Sequence, residues 1–183
     1  MRRVMAIRLF IAIELPDGLK RAFAGLRTPI PGARWVPPEQ IHLTLAFLGE
    51  VEETAVGHLH DELSRIRIPS FKLRPAGTGC FPGRQRARVL WVGLEPEPHL
   101  RDLAAAVQSV LLACGIPQEE RPFSPHITLA RLKLPAPREV GLFLSGEPKH
   151  AFPLVPVREF ILFQSRLSSA GAQHVPLHSF PLT

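Results

Sequence analysis

Histidine and threonine stand in one pattern, histidine, apolar, threonine, leucine, at two places: His42-Leu43-Thr44-Leu45 and His126-Ile127-Thr128-Leu129. Each copy lies in a short apolar run, which predicts a strand whose side chains alternate between two faces. His42 and Thr44 then share one face opposite Leu43 and Leu45, and His126 and Thr128 stand opposite Ile127 and Leu129. Two polar rows backed by apolar rows predict a cleft with two walls. Two imidazoles facing one cleft can divide acid and base work, because an unperturbed histidine titrates near about 6.5. A neutral ring takes a proton from water while a protonated ring gives one to a departing alkoxide, which suits in-line displacement at phosphorus. The threonine hydroxyls can donate to non-bridging phosphate oxygens and hold the phosphorus between the rings. The scheme needs no metal or other cofactor. Arg131 follows Thr128 by three residues, so simple parity puts it on the opposite face; it needs a bend or a strand end to reach phosphate.

One such motif is weak evidence, because a lone histidine on a strand is more often structural or exposed. Matching copies at matching places carry the reading. Zinc is the rival chemistry, since histidine is a common ligand, but Cys-x-x-Cys and His-Glu-x-x-His spacings are absent. His58, His60, His99, His150, His174 and His178 lack the motif's surroundings and are expected to be exposed. Trp91 is read as a core aromatic rather than a base-stacking platform, and Trp35, in a loop before the first motif, as either.

The elements that must position these residues recur in order. Residues 8–15 form a nearly continuous apolar run, a central strand, stopped by Pro16-Asp17-Gly18, which opens a helix carrying Leu19, Phe23 and Leu26. A proline-rich connection over 29–38 leads to the first motif strand at 41–48, closed by Gly49. A helix over 52–66 presents Val56, Leu59, Leu63 and Ile66 on one face, and a strand follows at 70–75. After the punctuation of Gly79 to Gly83 the series restarts. A strand covers 88–94, a helix carries Leu103, Val107, Val110 and Leu111, and the second motif strand follows. Phe10 precedes His42 by 32 residues and Trp91 precedes His126 by 35; Phe71 and Phe152 follow the two motif histidines by 29 and 26. This order predicts an internal duplication, with halves of roughly 8–86 and 87–180. The fold class expected is α+β: one domain of two pseudo-twofold lobes, each an antiparallel sheet with outer helices, the motif strands facing each other across a central cleft. A last strand is read at 157–164, and the tail from Ser165 to Thr183 is expected to pack back onto a lobe.

The 183 residues are 45% apolar, enough for one core, and carry a formal net charge of +6 with a pI near 10.3. Such a surface attracts polyanions without choosing among nucleic acid, nucleotide and anionic membrane. The densest basic run, Arg84-Gln85-Arg86-Ala87-Arg88, is a solvated loop or a phosphate-steering patch. Cys80 and Cys114 lie far apart and are read as reduced thiols of a cytoplasmic protein. The N-terminus has the basic start of a signal peptide, but Arg8 interrupts its apolar run and Glu14 and Asp17 follow, so residues from 8 onward are read as mature structure. No run approaches the roughly 18 to 20 apolar residues of a membrane span, and the 20 prolines argue against long helices.

With these residues in view, the chain resembles the two-histidine phosphoesterase superfamily, and within it the LigT-like bacterial and archaeal RNA 2′,3′-cyclic phosphodiesterases, also called 2′-5′ RNA ligases. The likeness rests on Arg8 to Ile13, Trp35-Val36, Ile41 to Gly49, Arg88 to Gly93 and Pro122 to Arg131. It implies a bilobal fold and metal-independent hydrolysis of a 2′,3′-cyclic phosphate at an RNA 3′ end to a 2′-phosphate. It further implies His42 as proton donor to the departing 3′-oxygen, His126 as proton acceptor from water, Thr44 and Thr128 on phosphate oxygens, and Arg131 lining the phosphate site. Joining of tRNA halves through a 2′-5′ linkage is associated with the same site. The family often has a tyrosine in its last strand where this chain has His174. The expected partner is therefore RNA ending in a cyclic phosphate, with no membrane, and a monomer is the default. Competing readings are a phosphodiesterase for a small cyclic nucleotide or a 2′-5′ oligonucleotide, and a basic RNA-binding module without turnover.

Overall fold

A computed structural model describes residues 5–146, 151–169 and 171–183. Two four-stranded antiparallel sheets dominate. The first has the order β10-β9-β1-β3, from Gly171–Pro181 (β10), Glu159–Ser168 (β9), Ala6–Glu14 (β1) and His42–Glu52 (β3). The second has the order β2-β7-β6-β5, from Ala33–Trp35 (β2), Ile127–Leu132 (β7), Val89–Leu94 (β6) and Pro75–Phe81 (β5). A two-stranded ribbon joins Phe71–Leu73 (β4) to Val155–Val157 (β8). The α+β, duplicated architecture expected from the repeated motif is the one observed.

The sheets do not follow the order of the chain. Each contains two strands from the other half: β9 and β10 complete the sheet of β1 and β3, and β2 and β5 flank β7 and β6. The β4–β8 ribbon, pairing Lys72 with Pro156 at its centre, joins the segments that lead into β5 and β9. Neither half can complete its own sheet, so the two fold as one unit. Val155–Val157, not Phe152-Pro153-Leu154, is the counterpart of Phe71–Leu73, so this strand starts 29 residues after His126 just as Phe71 stands 29 after His42.

The helices are Asp17–Ala24 (α1), Val56–Leu63 (α2), Pro98–Ala113 (α3) and Pro137–Ser145 (α4). Proline starts helices here. Pro16 precedes α1, while Pro98 and Pro137 occupy first turns, where the missing N–H has no helical partner to lose. That is how α3 reaches 16 residues in a proline-rich chain. Leu100, Leu103, Val107 and Leu111 recur at helical spacing and are buried. They join Leu9, Ile11 and Ile13, Leu43, Leu90, Val92 and Ile127 in the main core, each such side chain contributing roughly 1.5–3 kcal/mol on burial. The core therefore lies on the faces of the motif strands opposite His42 and His126.

Several expectations change. The proline-rich connection contains β2, and β3 runs through Gly49, which bends at φ +70, to Glu52. The helix expected over 52–66 begins as a 3₁₀ turn at Glu53–Ala55 and is helical only over Val56–Leu63. Gly79 lies inside β5 because the Trp91 indole rests on it: a Cβ there would stand 2.2 Å from the ring. The last strand is a long hairpin, β9 and β10, so the tail packs back as a paired strand.

Candidate active site

Both motif histidines are held by their own chain. His42 Nδ1–H donates to the Gln40 carbonyl at 2.6 Å, and His126 Nδ1–H donates to the Ser124 carbonyl at 2.7 Å. A carbonyl only accepts, so the proton sits on Nδ1 and each Nε2 is left to work. Gln40 also donates its side-chain amide to the Ala172 carbonyl at 2.5 Å, tying the start of the motif to β10. His42 opens β3 and His126 stands immediately before β7; these two strands contact each other.

Bulges decide what else faces the cleft. In β3, Thr44 pairs with Ala12, but the next partners are Ala46 with Ile11 and Phe47 with Phe10, so Leu45 is an extra residue. Phe47 thereby shares a face with Thr44 and His42. In β7, Thr128 pairs with Trp91, Ala130 with Leu90 and Arg131 with Val89, leaving Leu129 extra. An extra residue reverses the alternation beyond it, and Arg131 comes onto the face of Thr128 and His126. This bulge is the bend that simple parity required. The two motifs are thus matched to a third position: Arg131 in one, Phe47 in the other, the latter 63% exposed.

Arg34 is the residue sequence reasoning missed most completely. It pairs directly with Arg131 across β2–β7. Both are exposed, and among the described residues neither guanidinium has a hydrogen-bond or ion-pair partner. Like charges directly opposite are destabilising in a sheet, and an anion set between the two would relieve the repulsion. Nothing in the proline-rich segment signals it. The basic run at 84–88 is mostly used elsewhere: Arg84 Nε donates to the Pro137 carbonyl at 2.9 Å and Arg88 donates to the Lys133 carbonyl.

Each imidazole sits among aromatic rings. Phe81 meets His126 edge-on at 4.9 Å, with Trp91 at 6.4 Å, so Trp91 belongs to the site rather than to the core alone. Trp35 is partly buried, its ring 6.0 Å from that of Phe143. Phe10 stacks on His42 at 5.0 Å and on Phe163 at 5.1 Å. Phe10, Ala12, Ile161 and Phe163 form a separate apolar cluster beneath His42. His174, grouped by sequence with the exposed histidines, is half-buried and meets His42 edge-on at 5.2 Å. His60 and His178 also contact each other, and His99 lies against Glu97; among these only His58 is fully exposed, and His150 lies outside the described residues.

Burial lowers His42 from its ordinary value to about 4, aided by His174 and by Lys20 and opposed by the Gln40 carbonyl. Lys20 is itself buried and paired with Glu14. Burial lowers His174 too, against the pull of Glu14. Among the described residues no three of His, Cys, Asp and Glu gather into a metal-ligand set. Cys80 and Cys114 are free thiols, and burial raises both. No helix among the described residues is long and apolar enough to cross a membrane.

The sequence pattern described as "LigT like Phosphoesterase" matches the chain twice, over residues 9–91 and 92–172. The chain belongs to the LigT-like phosphoesterase family. Among its LigT-like relatives, an RNA 2′,3′-cyclic phosphodiesterase of Thermus thermophilus is 40% identical over 96% of this chain and 90% of its own. One from Archaeoglobus fulgidus is 32% identical over 95% and 99%. The crystal structure of Escherichia coli LigT complexed with 3′-AMP superposes with a TM-score of 0.79 at 32% identity, covering 97% of this chain and 99% of that one.

Proposed function

We propose that the protein hydrolyses RNA 2′,3′-cyclic phosphate ends to 2′-phosphates by acid and base catalysis between His42 and His126, with no metal. The observation that carries this reading is the duplicated site: two imidazoles with fixed tautomers, each followed on the same face by a threonine. His126 Nε2 takes a proton from water, the P–O3′ bond breaks, and His42 Nε2–H protonates the departing 3′-oxygen. Thr44 and Thr128 hold non-bridging oxygens, and Arg131, joined by Arg34, balances the charge that gathers on them. In the free protein His42 is neutral at pH 7, since its value is about 4. An anionic phosphate set against the ring favours the charged form, so the substrate itself restores the acid. Relatives that carry the name of this activity and a neighbour solved with 3′-AMP support the RNA reading.

We read the chain as one domain of two repeat halves, roughly 8–86 and 87–180, acting as a cytoplasmic monomer. With a 5′-hydroxyl in place of water, the same displacement joins RNA ends through a 2′-5′ linkage, tRNA halves being the expected substrates.

The test is a short RNA ending in a 2′,3′-cyclic phosphate, incubated in EDTA. A 2′-phosphate product at an undiminished rate is expected; an intact RNA, or turnover that stops in EDTA, would sink the proposal. Running the cyclic mononucleotide alongside separates an RNA enzyme from a small-nucleotide one.

His174 supplies a further check. Replacing it by phenylalanine keeps a ring against Phe10 and removes a charge that lowers His42. The limb of the kcat/KM profile belonging to His42 is expected to move to higher pH. An unmoved limb would mean that His174 only packs.

A further inference from the structure

A cavity of about 410 Å³, within the roughly 300–1,000 Å³ of ligand pockets, reaches Trp91 and Pro125, the neighbours of Thr128 and His126. Thr78, Trp91, Gly93, Glu97, Arg101 and Pro125 line it. Every lining residue lies between 76 and 125, so the wall that carries His42 contributes nothing. Trp91 shares the face of Thr128, and the absence of a side chain at Gly79 lets its indole rest on β5, with the Phe81 ring 5.2 Å away. Pro125 adjoins His126. Arg101 is exposed, and among the described residues its guanidinium has no partner. Glu97 is fixed by the backbone N–H of His99 at 3.1 Å.

In-line displacement puts the entering oxygen opposite the leaving one. If His42 protonates the leaving 3′-oxygen, the ribose of the cyclic end lies on the His42 wall, and whatever attacks comes from the His126 side. A water molecule does not require a cavity with an aromatic floor and an unpaired cation. A nucleoside at the end of an anionic strand fits both.

We propose that this cavity is an acceptor subsite, which binds the 5′-terminal nucleoside of a second RNA strand with its base on Trp91 and its first phosphodiester at Arg101. The inference rests on the cyclic-phosphate reading above. Its step is balanced: the acceptor's 5′-hydroxyl gives its proton to His126, the O5′–P bond forms, the P–O3′ bond breaks, and His42 protonates O3′. The product is a 2′-5′ phosphodiester beside a free 3′-hydroxyl.

The test mixes a cyclic-ended RNA with increasing amounts of a 5′-hydroxyl oligonucleotide and reads the ratio of joined to hydrolysed product in the same tube, so that any common loss of rate cancels. In the wild-type protein the ratio is expected to saturate with acceptor. Arg101→Ala is expected to raise the half-saturating concentration about tenfold, as for loss of one charge-assisted contact, and Trp91→Phe to raise it less. A 5′-phosphorylated oligonucleotide, which binds and lacks the nucleophile, is expected to compete. A ratio that grows without saturating, or one identical in all three proteins, overturns the subsite while hydrolysis stands. Absence of hydrolysis in the wild type overturns both readings.

Discussion

Alanine at His42 or at His126 is expected to slow cleavage of a cyclic-ended RNA by about 10²–10⁴-fold each, the usual contribution of a positioned acid or base. The double variant is expected to lose much less than the product of the two factors, because the rings act as a unit on one displacement. The roles separate through the leaving group. A phosphodiester that expels a nitrophenolate needs little protonation, so His42→Ala is expected to recover most of its rate on it, while His126→Ala, still lacking its base, is not. Recovery in the opposite variant would exchange the two roles. Recovery in neither would mean that the histidines hold the phosphate without moving protons.

Acid is expected to destabilise the protein through His42. Its folded value of about 4 lies below the ordinary 6.5, so the unfolded chain binds the proton more readily. Stability is then fully present above about pH 6.5 and is lost as pH falls toward 4. The two and a half units correspond to about 3 kcal/mol for this group alone. His174 and His178, also lowered by burial, act in the same direction. The proper measurement is therefore a difference: urea unfolding of the wild type and of His42→Phe at pH 7 and at pH 4. The variant is expected to keep its packing against Phe10 and to lose distinctly less stability on acidification. Equal losses would show that His42 protonates in the folded protein without cost, and would remove burial as the reason its acid form depends on bound phosphate.

The two tests bear on one property of the site. The Phe10, Ala12, Ile161 and Phe163 cluster beneath His42 dries the ring and lowers it, and His174 completes the enclosure from β10. If His42 is the acid, as proposed, this enclosure couples its protonation to the arrival of the substrate's phosphate.

Alternation of polar and apolar side chains depends on the local backbone, and so the sequence by itself determined the motif strands, the duplication, and the faces that His42 shares with Thr44 and His126 with Thr128. Phe47 was also within reach, since it follows Thr44 as Arg131 follows Thr128. Other features are set by contacts between distant segments. The segments that lead into β5 and β9 are joined through β4 and β8, a pairing of residues some 84 apart in sequence. Arg34 stands beside Arg131 only because β2 pairs with β7, and His174 reaches His42 only through the hairpin and the Gln40 contact to Ala172. Parity counted along one strand could not place Arg131, because a bulge is a relation between two strands. Side-chain alternation belongs to the chain, while register, bulges and the meeting of like charges belong to the sheet, and the sheet exists only once the chain has folded.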